Sequence, residues 1–354
     1  MKRIVFVSLS NLYATPYIKK YIQAMNGEAS YDIIMWNRHG VEEDDYGAKN
    51  VFAYPVLMDE SLSKPVKLLH MIRFCNYAHT ILKRENYDGV VVLHTNAAIL
   101  LQQILCTKYS GKFILDIRDY SMEKNALYYQ MEKRLVKHSQ ECFISSDGFR
   151  SFLPEGDYCL VHNNMKLTQE EIAAYQQRSR EPDVIRVTFI GIVRFFEEGK
   201  RLAASIGSDP RFTVGYYGKN GLKMQEYIGE TANHLYADHF PPVDTMKYYL
   251  KTDVINNLYG NNIYVDHLLS NKLYYSTQLR IPIIVSPNTY MAEIVQEYQI
   301  GFVYDLSDPS APDLLHAYYQ SIDWNAFDAN CRRFCEKVEQ DDLVFQRKIQ
   351  EFIR

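Results

Sequence analysis

Short runs of β-branched and apolar residues alternate with longer stretches whose apolar positions recur every three or four residues, and this alternation covers most of the chain. The run Arg3-Ile-Val-Phe-Val-Ser8 predicts a buried strand. A polar loop, 8–15, follows it. Pro16, suited to a first helical turn, then opens a helix with Tyr17, Ile18, Tyr21, Ile22 and Met25 on one face. Further strands are predicted at 31–36, 51–55, 88–93, 112–117 and 141–145, and helices at 66–84, 97–109 and 127–138. The pattern lapses after Val161-His-Asn-Asn164, where residues 166–182 turn polar and end at Pro182. A second series begins at Val184. Its strands are predicted at 185–190, 212–217, 235–240, 253–258, 281–285 and 301–304. Its helices are predicted at 200–208, 221–230, 243–250, 271–279 and 291–298, and the tail from 312 to 354 reads as mainly helical.

Strand and helix in alternation give a parallel sheet covered on both faces. The fold class expected is therefore α/β, with two Rossmann-like, doubly wound parallel-sheet domains facing a cleft. The expected boundaries are 1–165 for the first domain, 166–183 for a hinge, 184–325 for the second domain, and 326–354 for carboxy-terminal helices packing back on the first. Ligands of open α/β sheets sit beyond the carboxyl ends of the strands, so the loops after strands are where candidate chemistry is sought.

Composition narrows this only in places. With 47% apolar and 23% charged residues the 354-residue chain is ordinary globular material. A net charge of −4 argues against a nucleic-acid partner held by bulk charge, yet leaves room for a small anion held by a few local cations. The six cysteines are scattered without CxxC spacing, and no apolar stretch suits a signal peptide or a membrane span. A cytoplasmic protein with reduced cysteines is expected. The 29 tyrosines read first as amphipathic filler and second as surfaces that could stack on a sugar or a base.

Four strand-end segments carry candidate chemistry. Gly191, Arg194 and Lys200 follow the 185–190 strand, where a tight turn, two cations and a helix start would suit a diphosphate. Gly218 and Lys219 follow the next strand, where an ordinary turn is the first reading and a close backbone approach to a nucleotide the alternative. Ser270-Asn271-Lys272-Leu273 opens a helix with a capping residue and a cation. Glu293, early in the last predicted helix of the domain, could accept bonds from a ribose or sugar hydroxyl or simply match the dipole.

The stretch from Asn271 through Lys272, Leu273 and Pro282 to Ser286 resembles the donor-site signature of GT-B glycosyltransferases, and Met291-Ala-Glu293-Ile-Val to Gly301 resembles its continuation. Gly191 with Arg194 is similar to the start of their second domain, Val161-His-Asn163-Asn164 to their interdomain segment, and Leu115-Asp116-Ile-Arg118-Asp119 to a strand end of their first domain. The likeness is to polysaccharide-biosynthesis members of the family 4 type. It implies metal-independent transfer of a hexosyl group from a UDP- or GDP-linked sugar, a substrate rather than a cofactor, to a saccharide or lipid-linked acceptor in cell-surface polysaccharide synthesis. It places Gly191, Arg194, Lys200, Gly218, Lys219, Asn271, Lys272, Leu273 and Glu293 on the donor, and Ser10, Asn11 and Asn96 on the acceptor. His94, Asp116 and Asp119 are the candidates for the base. An acceptor at the membrane surface would add peripheral contact with the inner face of the membrane.

Two departures stand out. Many retaining members carry a pair of glutamates eight positions apart, and the matching positions here hold His267 and Tyr275. The glycine-rich loop usual after the first strand is replaced by Ser8-Leu-Ser-Asn-Leu-Tyr13. A nucleotide-sugar epimerase of the same fold, a two-lobed binding protein and a catalytically inactive scaffold are the alternatives.

Overall fold

The computed structural model describes residues 1–59, 61–164, 166–176, 180–229, 233–241 and 244–354. Contacts divide the chain into two compact units, residues 1–162 with 339–354, and residues 163–338.

Unit 1 is built on β1 (Arg3–Ser8), α1 (Ile18–Met25), β2 (Ser30–Trp36), β3 (Val51–Tyr54), α2 (Lys64–Arg84), β4 (Gly89–Val92), α3 (Thr95–Leu100), α4 (Gln102–Leu105), β5 (Phe113–Ile117), α5 (Ala126–His138), β6 (Glu141–Ile144) and β7 (Tyr158–Leu160). The strands form one sheet in the order β3-β2-β1-β4-β5-β6-β7, with every paired neighbour parallel. Alternate side chains point to opposite faces. Phe6, Ile33, Met35 and Phe143 pack with α1 and with Phe345 and Phe352 near the end of the chain. Trp36, one residue on from Met35, instead stacks on Phe74 of α2. Gly89 leaves the space that the Phe352 ring fills.

Unit 2 contains α6 (Gln169–Gln176), β8 (Ile185–Ile190), α7 (Phe196–Ile206), β9 (Phe212–Tyr217), α8 (Gly221–Ile228), β10 (His234–Ala237), α9 (Thr245–Tyr249), β11 (Val254–Asn257), α10 (Asn271–Leu279), β12 (Ile283–Val285), α11 (Tyr290–Tyr298), β13 (Gly301–Val303), α12 (Ala311–Gln320) and the first half of α13 (Trp324–Ile353). Its sheet runs β10-β9-β8-β11-β12-β13, again parallel throughout. Both units therefore share the doubly wound order in which the chain works outward from a central strand and then crosses to its other side.

Several boundaries differ from the expected ones. The polar segment 166–183, expected as a hinge, contains α6. Thr168 and Glu171 form a reciprocal cap: the Glu171 N–H donates to Thr168 Oγ1 at 3.2 Å, and the Thr168 N–H to Glu171 Oε2 at 2.7 Å. The helix is anchored by Tyr175, which is buried in the unit 2 core and donates to the Thr252 carbonyl at 2.7 Å. Residues 177–179 of that segment lie outside the described residues, as do Glu230 and Val243, the ends of two predicted helices. The helix expected over 97–109 breaks at Leu101, whose ψ of 5° ends one short helix and starts another. The sequence holds no glycine or proline there to announce the break. The cysteines are free, with Cys75, Cys106, Cys142 and Cys331 buried. Among the described residues no helix is long and apolar enough to cross a membrane.

Candidate functional site

Each sheet reverses its winding once, between β1 and β4 in unit 1 and between β8 and β11 in unit 2. Such a switch point leaves a crevice beyond the carboxyl ends of the two strands, because their outgoing loops diverge to opposite faces.

In unit 2 the loops after β8 and β9 are laid backbone on backbone. Gly191 has φ +127° and Gly218 φ +123°, and a Cβ on Gly218 would collide with the Gly191 carbonyl. The Gly191 N–H donates to the Tyr217 carbonyl at 2.9 Å, and the Val193 N–H to the Lys219 carbonyl at 2.9 Å, which fixes both loops. A Cβ on Gly191 would meet nothing within 4 Å, so its far side is open. Across the switch point, Tyr259 follows β11. Its ring stacks on Phe195 with centroids 4.1 Å apart. Its hydroxyl accepts from Lys272 Nζ at 2.8 Å and lies 3.1 Å from Ser270 Oγ. Lys272 is itself buried, with Nζ 3.7 Å above the Phe189 ring. Ser270 caps α10 by accepting the Lys272 N–H, and the first turn of α10 holds no acid. Burial alone would raise the Tyr259 hydroxyl; the charge and hydrogen bond of Lys272, then Ser270 and Arg194, outweigh it and bring the group below its ordinary pKa. This crevice is electropositive at close range, and aromatic walls surround the charge.

The expected donor residues separate on this geometry. Gly191, Arg194, Gly218 and Lys272 border the switch point, with Arg194 exposed and near enough to act on Tyr259. Lys219 and Asn271 are exposed on the same loops. Lys200 instead lies over the Tyr227 ring of α8, 5.2 Å from its centroid. Leu273 is fully buried in the core and its N–H donates to the Ser270 carbonyl, so its side chain serves packing. Glu293 is exposed in the first turn of α11. The start of α7, expected to receive a diphosphate, carries Glu197 and Glu198 in its first turn, which neutralise the positive end of that helix. The acid-free start of α10 suits an anion better. Sequence reasoning passed over Tyr259, Phe195 and Glu198. Glu198 lies directly over Gly260, where any Cβ would collide with its carboxylate. The glycine immediately after Tyr259, at φ +72°, was the available signal.

In unit 1 the switch point brings Ser10 and His94 together, with Ser10 Oγ 3.4 Å from His94 Nε2. Asn11 is buried and fully engaged. Its amide donates to Asn37 and Glu43, and its carbonyl accepts from the His39 N–H, so it holds the loop after β2 rather than presenting itself to a ligand. Asn96 accepts from the Tyr128 hydroxyl at 3.0 Å. Asp119 is exposed. Asp116 leaves the candidates for a base: it is fully buried, bound bidentately by Arg118 at 2.5 and 2.7 Å, and hydrogen-bonded by Tyr21 at 2.6 Å. His94 is brought down to about 4, first by burial and then by Arg38 and Arg118. An NMR titration of the imidazole should show a midpoint near pH 4; a midpoint near the usual 6.5 would show that the ring is not enclosed as described.

No family model matches the chain, and no curated protein matches it in sequence. Solved structures match across its length. Sucrose-phosphate synthase from Thermosynechococcus elongatus superposes with a TM-score of 0.67 at 11% identity, covering 100% of this chain and 95% of its own. Anabaena HepE in complex with UDP gives 0.67 at 10% identity, covering 99% and 100%. Arabidopsis thaliana UGT89C1 complexed with UDP-L-rhamnose gives 0.63 at 11% identity, covering 100% and 99%. The chain has the GT-B fold.

Within that fold, the two positions where many retaining GT-B enzymes carry glutamates are occupied differently here. Tyr275 stacks on Tyr249 of α9 with centroids 4.5 Å apart, and burial raises its hydroxyl. A carboxylate in its place would need a counter-charge within an aromatic contact. His267 is partly buried in the loop whose Asp266 carbonyl accepts the first N–H of α11. Glu198 is a carboxylate that lies over Gly260, the residue after Tyr259.

Proposed function

We propose that this chain is a glycosyltransferase that takes a sugar from a nucleoside-diphosphate donor held by unit 2 and transfers it to a saccharide or lipid-linked acceptor. The observation that carries the reading is the meeting of Arg194, the Lys272–Tyr259 pair and the acid-free start of α10 at the β8/β11 switch point, over bare glycine backbone. Similar solved structures include a sucrose-phosphate synthase and proteins captured with UDP and with UDP-L-rhamnose, which supports a nucleotide sugar as the ligand.

In the proposed reaction an acceptor hydroxyl attacks the anomeric carbon while the bond from that carbon to the diphosphate breaks. Charge develops on the departing diphosphate, and Lys272, Arg194 and the first N–H groups of α10 are the groups of this chain suited to stabilise it. The acceptor proton needs a base. His94, neutral through the physiological range, and Asp119 are the side chains of unit 1 that we assign to accept it. A hexosyl group, UDP or GDP as carrier, independence of metal, and a place in polysaccharide assembly complete the proposal.

Calorimetric titration with UDP, GDP and their sugars tests the donor site. Replacing Arg194 or Lys272 by Ala should weaken nucleotide binding by about 1–3 kcal/mol, as for other hydrogen bonds to charged groups. No binding of any of these at millimolar ligand, or unchanged affinity in both variants, would overturn the assignment. Nucleotide binding without release of free nucleotide from any sugar donor would overturn the transfer reaction and leave the donor site standing.

A further inference from the structure

The outward face of α2 is unusual for a helix on the outside of a sheet. Pro65, Leu68, Leu69 and Ile72 stand at positions that share one side of a helix. They point away from the buried stripe of Phe74, Cys75, Ala78, Ile81 and Leu82. Leu68 is 50% exposed and Leu69 46%. Leu57, in the segment leading into the helix and against Gly40, is also exposed, at 63%. Burying this surface against unit 1 is not open to it, because the opposite side of α2 already packs there, on Trp36.

Charge on the helix is equally one-sided. Residues 61–84 contain Lys64, Lys67, Arg73, Lys83 and Arg84 and not one Asp or Glu, in a chain whose net charge is −4. Lys64 and Arg73 are exposed beside the leucines. The first turn carries no acid, so the positive end of the helix dipole adds to the field. Among the described residues, five nearby acids are engaged with other groups. Asp59, just before the helix, is turned onto the Ser61 N–H, with Lys67 nearby. Glu85, just after it, pairs with Arg3 and Arg84. Within the acidic run 42–45, Glu43 bonds Asn11 and the Tyr13 N–H. Asp44 and Asp45 bond the N–H groups of Tyr46 and Gly47, and Tyr46 lies under Lys19 of α1, on the other face of the sheet.

An apolar strip flanked by cations and free of acids matches one kind of partner, a surface whose outer layer is anionic and whose interior is hydrocarbon. We propose that the first half of α2, with Leu57, docks unit 1 onto an anionic lipid bilayer, with Leu68, Leu69 and Ile72 entering the interface and Lys64 and Arg73 meeting lipid phosphates. This surface goes beyond the transfer reaction and does not depend on it.

The test is flotation of the full chain with vesicles of phosphatidylcholine alone and of phosphatidylcholine mixed with phosphatidylglycerol. The protein should float with the anionic vesicles, should remain behind with the neutral ones, and should be released by salt. Leu68→Ser combined with Leu69→Ser should cut the bound fraction about tenfold or more, since both side chains would leave hydrocarbon for water. Lys64→Glu with Arg73→Glu should do the same on anionic vesicles. Leu343→Ser, an equally exposed leucine on α13, should bind as the unaltered chain does. All of these positions are exposed, so unchanged melting temperatures would show that the folds are intact. Absence of flotation with anionic vesicles, or full binding by the Leu68/Leu69 variant, would overturn the proposal. So would light scattering showing a dimer of the unaltered chain that the same variant dissociates, because the strip would then cover a second copy. Nucleotide calorimetry on the same samples reads the donor site separately, so failure of one reading leaves the other standing.

Discussion

Asp116→Asn should lower the stability of unit 1 by about 3–5 kcal/mol, the range for breaking a buried ion pair by removing one partner. The cause is Arg118. Arg118 is 9% exposed, its two bonds to Asp116 measure 2.5 and 2.7 Å, and its other contacts include the Val161 carbonyl at 3.2 Å and the Tyr17 ring at 4.0 Å. A carbonyl dipole and a ring face cannot replace a carboxylate for a charge held away from water. The asparagine keeps the shape, removes the charge and turns one acceptor oxygen into a donor, so the loss reports electrostatics and hydrogen bonding rather than packing. Burial is the largest cause that raises the Tyr17 and Tyr21 hydroxyls, and it persists in the variant, so neither supplies the missing anion. Chemical denaturation followed by a probe in unit 1 gives the number. A loss below about 1 kcal/mol would mean that water reaches Arg118. Replacing the pair together, Asp116→Leu with Arg118→Met, should recover much of the stability, since well-packed apolar pairs often equal buried ion pairs. Sugar transfer retained by that double variant would also separate Asp116 from catalysis by direct measurement.

Asp116 shows what the sequence could and could not convey. Strand and helix were legible because apolar periodicity is a property of each segment by itself; this located the strands of both sheets to within a few residues, apart from β7, which was not predicted. The strand-end glycines 191 and 218 were legible for a related reason, since a tight turn demands them wherever the chain goes next. Partnership across the fold is a different matter. Leu115-Asp116-Ile-Arg118 looks like a strand end presenting an acid, and nothing local says that Arg118 folds back on Asp116 under Tyr17 and Tyr21. Tyr259 and Lys272 are thirteen residues apart and meet only because β11 and α10 flank one switch point. Phe195 and Glu198, a loop and a helix away, arrive there by the same route. The α6 helix was hidden by polarity, although its Thr168–Glu171 cap is a local signal that spacing alone could have revealed. The start of α7, expected to receive a diphosphate, carries its own acids, Glu197 and Glu198, which oppose an anion there.

Glu132 carries the second large effect, and here the pattern was visible. Tyr128, Glu132 and Leu135 form the buried stripe of α5, which puts a carboxyl where an apolar residue belongs. Glu132 is fully buried, and among the described residues neither of its oxygens has a hydrogen-bond partner. Burial, then the neighbouring Glu123, raises its pKa to about 8. Glu123 is also buried and also raised. In the unfolded chain a glutamate titrates near 4.3. Between these two values the folded state holds a proton that the unfolded state has released, so this group makes stability fall as pH rises from about 4 to about 8. That is the reverse of a salt-bridged acid. Glu132→Gln removes the titration while keeping the size. The variant should match the unaltered chain near pH 4.5 and exceed it by on the order of 5 kcal/mol at pH 9, where the unaltered chain must ionise a buried group in order to stay folded. Melting curves across that range decide it. A constant difference between the two proteins at all pH values would show that Glu132 is ionised in the native state at every pH measured, which its lack of any donor argues against.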